Sequence, residues 1–284
     1  MAKIPALTNA LRFGRHGATL RSRGMLFCMA LLDRMGERRV RARDWVHRLL
    51  LAFNGSGRHL EFSVRVSGRR FRFAARAHDR ADYRTILECL DGAMYPPPAR
   101  TIRHVFDGGG NIGLFSLTAM ARTRAEDIVI VEPDPANFDL LRRNLAPFPK
   151  AVAWRGALAS ASGTARFIRD ASNTARFATL VPDESAGISY EVVTRRVSEL
   201  LPPDWNPAET WLKLDIEGAE HEVVPDLLTG GLRPGAISME IHDYRNGGEA
   251  LVEHLRAAGY DVTVTGAGDS GIVCRQISAS LAMA

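Results

Sequence analysis

The chain has 284 residues, 46% hydrophobic and 24% charged, with a formal net charge of +5. That length supports one complete α/β domain with an extension and a sizeable core. No apolar run approaches the ~20 residues a membrane-spanning helix needs, and the longest relevant one covers residues 25–32. The three cysteines, Cys28, Cys89 and Cys274, lie far apart, are odd in number and lack metal-like spacing. They argue for reduced thiols in a cytoplasmic protein and against a disulfide framework or a zinc site. The stretch after Lys3 lacks a long apolar region leading to a small-residue cleavage site, so no signal peptide is expected.

Charge is unevenly spread. Residues 1–50 hold ten Arg and one Lys against Asp33, Glu37 and Asp44, a net of +8 that leaves −3 for the rest. A basic arm on a mildly acidic body differs from a uniformly basic nucleic-acid binder. The arm's few aromatic residues are not interleaved with its arginines, so nucleic acid is not the expected partner. Residues 1–57 read as helical, with apolar clusters at 25–32 and 45–53 on either side of a basic stretch at 38–43. The breaker Asn54-Gly55-Ser56-Gly57 ends them. This arm is expected to cap a cleft, to form a homodimer surface, or to lie as amphipathic helices on an anionic membrane.

Residues 58–100 form a second segment. Leu60, Phe62, Val64 and Val66 alternate with polar residues, then come Ser67-Gly68 and Phe71 and Phe73. Period-two alternation around a glycine turn predicts a β-hairpin. A helix near 82–90 follows, and Tyr95-Pro96-Pro97-Pro98 cannot continue it.

From residue 101 to 284 the pattern becomes strands at 103–107, 128–132, 152–155, 211–216 and 236–241. Helices fit between most of them, at 113–121, 135–145, 220–228 and 248–258. Such alternation predicts a doubly wound, mostly parallel sheet covered on both faces. The tail reads as a strand at 261–265, a glycine-rich loop at 266–271 and a returning strand at 272–277, which completes seven strands with an antiparallel hairpin. The usual dinucleotide-binding sheet ends parallel, so the hairpin favours the methyltransferase variant. Residues 160–195 carry no transferable signal.

The chemistry concentrates at the carboxyl ends of these strands, where open α/β sheets bind ligands. The first strand runs into Asp107-Gly108-Gly109-Gly110-Asn111-Ile112-Gly113, a glycine-rich loop that opens a helix. Glycines there let backbone approach a ligand and adopt positive φ. Gly108, Gly110 and Gly113 satisfy the dinucleotide fingerprint literally. Asp107, however, would repel a pyrophosphate and can accept from an ammonium group. S-adenosyl-L-methionine has an ammonium and no phosphate. Glu132, before Pro133 at the second strand's end, can accept from both ribose hydroxyls of an adenosine. The small residues around Ala157 and Leu158 suit a flat adenine ring.

The fourth strand reads Trp211-Leu212-Lys213-Leu214-Asp215-Ile216-Glu217-Gly218-Ala219-Glu220. Trp211, Lys213 and Asp215 share one face, and Asp215 and Glu217 should reach the cleft. A buried Lys213 needs a partner, for which Asp215 or Glu217 is the expected choice. The fifth strand places Ser238, Glu240 and His242 on one face. His242 is the expected base for an attacking hydroxyl, with Asp215 or Glu217 orienting it. A metal-assisted variant would use Asp215, Glu240 and His242 as ligands.

With these segments in place, the chain resembles the FkbM family of methyltransferases from about Phe71 onward. The resemblance rests on Tyr95-Pro96, on Asp107, Gly109, Asn111 and Gly113, and on Glu132-Pro133. It also rests on Lys213, Asp215 and Glu217-Gly218-Ala219-Glu220, and on the Glu240-Ile241-His242 ending. It implies S-adenosylmethionine binding and O-methylation in natural-product, glycolipid or surface-polysaccharide pathways, with a small or sugar-like acceptor. This chain departs from the family pattern at Gly108-Gly109-Gly110, where a β-branched residue and then Gly-Ala are usual, and the extra glycines are expected to loosen the loop. The competing expectations are an NAD-dependent oxidoreductase, and a non-catalytic membrane- or partner-binding protein whose basic arm is the working part.

Overall fold

A computed structural model describes residues 6–34, 40–53, 58–170, 175–178, 187–242, 248–265 and 275–281. The chain divides into two compact units, one of Met1–Pro96 with Arg143–Leu145, the other of Pro97–Arg142 with Ala146–Ala284.

In the first unit, helices α1 (Ala6–Gly14), α2 (Leu20–Arg34) and α3 (Val40–Ala52) carry the basic arm. Arg41 and Arg43, read from sequence as part of a separating stretch, belong to α3. Strands β1 (His59–Val66) and β2 (Arg69–Arg76) pair antiparallel as expected. Ser67 and Gly68 both take positive φ (46° and 79°), the conformation a two-residue hairpin turn requires. Phe62 faces Phe73 across the pair, and their rings stack 5.0 Å apart. Helix α4 (Arg80–Asp91) starts on Asp79, whose carboxylate accepts from the N–H groups of Ala81 and Asp82, and ends on Gly92 in the left-handed region.

The second unit is a doubly wound sheet. Its elements are β3 (His104–Gly108), α5 (Leu114–Arg122), β4 (Asp127–Glu132), α6 (Pro135–Leu145), β5 (Ala151–Arg155) and β6 (Ala157–Leu158). They continue with β7 (Gly163–Asp170), β8 (Ala175–Ala178), β9 (Gly187–Arg195), α7 (Val197–Leu200), β10 (Thr210–Leu214) and α8 (Glu220–Thr229). The last are β11 (Ala236–Ile241), α9 (Gly248–Ala257), β12 (Tyr260–Thr265) and β13 (Arg275–Leu281). Seven strands line up as β12-β13-β11-β10-β3-β4-β5, parallel from β5 through β11, with β13 antiparallel to both its neighbours. The central strands β3 and β10 are buried along their length apart from His104. Phe106, Leu212 and Leu214 join residues of α8, β11 and α9 in one apolar core.

Three sequence expectations change. Strand β10 stops at Leu214 instead of residue 216, because Glu217 and Gly218 turn the chain through positive φ (57° and 106°). The returning strand is Arg275–Leu281 instead of 272–277; residues 272–274 and the preceding glycine-rich loop lie outside the described residues. The stretch 160–195, read as featureless, contributes β7, β8 and β9 to a sheet ordered β6-β9-β7-β8. Its small core is Ala157, Phe167 and Val192, with Ala165 and Tyr190 against it.

Candidate functional site

The loop after β3 is built by its neighbours on both sides. From the β4 side, the carbonyl of Val131 accepts from the N–H groups of Gly109 and Gly110, each at 2.9 Å. Glu132 Oε2 accepts from the N–H of Asn111 at 2.7 Å. From the β10 side, Lys213 Nζ donates to the carbonyls of Gly109 (2.7 Å) and Gly108 (3.2 Å), and Asp215 N–H donates to Gly108. The N–H of Gly113 turns inward to Gly110. Gly109, Asn111 and Gly113 take φ of 77°, 48° and 85°.

The glycines serve packing of the chain against itself. A Cβ on Gly109 would stand 1.9 Å from the carbonyl oxygen of Asp215. One on Gly108 would meet Leu158 Cδ1 at 2.7 Å and Leu214 Cδ2 at 2.9 Å, and one on Gly110 would meet Ile130 Cγ2 at 2.2 Å. At all three glycines, neighbouring side-chain or backbone atoms occupy the space a larger residue would take.

Asp107 is fully buried inside β3. Ser116 Oγ donates to its Oδ2 at 2.7 Å, and Lys213 Nζ lies 3.2 Å from its Oδ1. Lys213 was expected to pair with Asp215 or Glu217. Its nearer carboxylate is Asp107, with Asp215 at 3.8 Å. The reason is depth, because Lys213 and Asp107 are direct neighbours across the β10–β3 register. The ammonium also lies 5.7 Å from the centroid of the Phe115 ring.

Glu132 is buried at the end of β4. Its Oε1 accepts from Asp134 N–H at 2.9 Å and from Asn137 Nδ2 at 3.4 Å. Desolvation pushes its pKa up to about 7, although these hydrogen bonds pull the other way. Pro133 carries the chain from Glu132 to Asp134, which caps α6 through Asn137 N–H. Ala157 and Leu158 are buried in β6, with Leu158 beside Gly108.

A second cluster forms where β10 and β11 end. Glu220 opens α8 and is wholly buried; its carboxylate accepts from Ile216 N–H and Gly218 N–H, each at 2.8 Å. That pair of bonds holds the turn that presents Glu217. His242 follows β11 directly, with Nδ1 3.3 Å from Glu220 and Nε2 3.3 Å from Glu217. His221 Nε2 lies 2.8 Å from the backbone carbonyl of His242. Burial opposes a charged His242, but Glu220, Glu217 and Asp215 together outweigh it and raise its pKa to about 9. Glu217 is raised to about 7, first by desolvation and then by Asp215, Glu220 and Glu240, with His242 opposing. Ligand atoms of Asp215, Glu240 and His242 lie within 4.8 Å of one another, close enough to hold one metal ion.

Sequence reading brought Asp215, Glu217 and His242 to one place, and so does the structure. It missed Glu220 and His221 as members of the cluster. An acid at the first position of a helix, two residues after a glycine, was the available signal for Glu220.

The strand order, with its antiparallel seventh strand and glycine-rich loop after β3, is that of a Rossmann-like class I methyltransferase. The chain belongs to the FkbM methyltransferase family, whose domain model matches residues 107–262. Methyltransferase sdnD of Sordaria araneosa is 30% identical over 152 residues, a match spanning 42% of this chain and 58% of that protein. Methyltransferase FkbM from Methylobacillus flagellatus KT superposes with a TM-score of 0.43 at 13% identity, covering 95% of this chain and 58% of that one. TYW2 of M. jannaschii, solved in complex with AdoMet, gives a TM-score of 0.38 at 14% identity, over 79% and 87%.

Proposed function

We propose that this chain is an S-adenosylmethionine-dependent O-methyltransferase acting on a hydroxyl of a sugar, glycolipid or natural-product acceptor. One observation carries the choice of cofactor. The N–H groups of Gly109, Gly110, Asn111 and Gly113 all donate within the protein, so they are not offered to a pyrophosphate as a dinucleotide loop requires. What the loop offers instead is acceptors. Asn111 Oδ1 is buried with no hydrogen-bond partner, and Glu132 stands beside it. The Asn111 acceptor fits a ligand carrying hydroxyl or ammonium donors, and the internally engaged N–H groups argue against a pyrophosphate and so against NAD.

On this reading Glu132 and Asn111 hold the adenosine and methionine donors, and Ala157 and Leu158 flank the adenine. Asp107 and Lys213 act through the loop, whose carbonyls the ammonium fixes. S-adenosylmethionine, when bound, supplies a methyl group already activated for displacement. The protein's own part is alignment and proton removal. We assign the base to the Glu217–His242 pair and not to His242 alone, because an imidazole raised to about 9 keeps its proton through neutrality. Glu217, raised to about 7, is matched to accept the acceptor's hydroxyl proton near neutral pH. The neighbouring imidazolium stabilises the carboxylate that does so, and the two titrate as a coupled unit. Asp215 and Glu240 line the same edge.

The test is transfer of label from methyl-labelled S-adenosylmethionine into a panel of glycosides and polyhydroxylated natural products. A methyl ether in the product, lost in Glu217→Gln, supports the reading. Methylation at nitrogen or carbon would contradict the O-methyl assignment. Unchanged turnover in His242→Ala at saturating acceptor would remove His242 from the pair.

A further inference from the structure

The outer surface of the first unit's helical segment carries large apolar side chains among its arginines. Among the described residues, most of the exposed large hydrophobic side chains lie here: Leu7, Leu11, Leu20, Trp45 and Phe53. Leu20 is 83% exposed and Trp45 65%. Their helices already bury another face, with Ala10 and Phe13 in α1, Met25 and Met29 in α2, and Val46 and Leu50 in α3. Apart from Phe53, whose ring packs on Gly24, these outward side chains are surplus to the unit's own core.

They are also arranged. Leu7 and Leu11 are one turn apart and share a face of α1, with exposed Arg15 just past the helix end; Arg12 is held by Asp91. Trp45 stands one turn from Arg41 and from Arg48 on α3, and all three are exposed. Leu20 lies one turn before Gly24 on α2, and the ring of Phe53 covers Gly24 so closely that a Cβ there would be 2.5 Å from it. The pattern alternates apolar anchors with arginines, within a segment of net charge +8.

We propose that the exposed apolar and arginine side chains of these helices dock the protein on an anionic lipid bilayer. Leucine and tryptophan would bury in the headgroup and acyl boundary while the arginines meet lipid phosphates. Charge selects this occupant. A second copy docking through the same side chains would set one +8 segment against another. A nucleic-acid backbone would pair with the arginines but leave Leu7, Leu11 and Leu20 in water. The proposal does not depend on the methyltransferase reading.

The experiment is flotation of the full chain with vesicles of equimolar phosphatidylcholine and phosphatidylglycerol, beside vesicles of phosphatidylcholine alone. The protein is expected to float with the anionic vesicles, and less as salt rises. The triple variant Leu7→Ser, Leu11→Ser, Trp45→Ser should lose at least about tenfold in partition with an unchanged urea midpoint. Val152→Ser, which removes an exposed apolar side chain of the other unit, should leave partition unchanged. No flotation with anionic vesicles would overturn the proposal, as would flotation indifferent to the triple variant. A dimer in sedimentation equilibrium that the triple variant dissolves would assign these side chains to a second copy. Retention on RNA that ignores the triple variant, without flotation, would assign the arginines to nucleic acid.

Discussion

Replacing Lys213 with Met tests whether the cation inside the sheet holds the loop together. The side chains of Lys213 and Asp107 are 4% and 0% exposed, and Nζ lies 3.2 Å from Oδ1. With an effective dielectric constant of about 20, two unit charges at that distance attract by about 5 kcal/mol. Breaking a buried pair by removing one partner costs about 3–5 kcal/mol, because the other charge stays buried. The carbonyl of Gly109 also loses a donor at 2.7 Å, which adds about 1 kcal/mol. Gly108 loses less, since Asp215 N–H still donates to its carbonyl. A total near ~4–6 kcal/mol is a large share of the ~5–15 kcal/mol that stabilises a typical domain. Urea unfolding should show it as a lower midpoint at constant slope. The double variant Asp107→Asn, Lys213→Met removes both charges and should recover at least about 2 kcal/mol against the sum of the single changes. A single-variant loss below about 1 kcal/mol, or simple additivity, would refute the reasoning.

Gly109→Ala should unfold the loop or the unit, since its Cβ would stand 1.9 Å from a backbone oxygen. Gly218→Ala, with nothing within 4 Å, should cost only the ~1–2 kcal/mol of a left-handed residue; equal melting of the two variants would count against the loop geometry. Stability should fall as pH rises through the neutral range. Glu217 and Glu132, raised from 4.5 to about 7, favour the protonated folded state, so their contribution is fully present below 4.5 and is lost by about 7. His242, raised from 6.5 to about 9, contributes fully below 6.5 and loses that contribution as pH passes through about 9. A urea midpoint constant between pH 6.5 and 9 would contradict the His242 environment. Chelation with EDTA should leave methyl transfer intact if the Glu217–His242 pair is the base. Loss that magnesium restores would shift the chemistry to Asp215, Glu240 and His242, whose ligand atoms are close enough to share an ion.

The sheet was legible because its strands are short, apolar and separated by amphipathic helices, and α6 and β11 begin and end where the pattern puts them. The end of β10 was not legible, because alternation continues through Asp215 and Ile216 while the turn is imposed by backbone φ at Glu217 and Gly218. The strands between 163 and 195 did carry a period-two signal, with Ala165 and Phe167 in one strand and Tyr190 and Val192 in another. The intervening charged and small residues obscured it. At the site, residue types were readable but pairings were not. Lys213 reaches across to Asp107 because two strands lie in register, which no local spacing reveals. The glycines were read as room for a ligand, whereas the backbone of Asp215 and the side chains of Ile130 and Leu158 occupy that room.

The most direct test of the central claim is calorimetric titration of S-adenosylhomocysteine against the wild-type chain and Glu132→Ala, with NADH as the comparison ligand. The account predicts micromolar binding of S-adenosylhomocysteine, weakened at least tenfold, or about 1.4 kcal/mol, by the substitution, and no comparable binding of NADH. Binding of NADH in place of S-adenosylhomocysteine, or binding of neither by the folded protein, would contradict it.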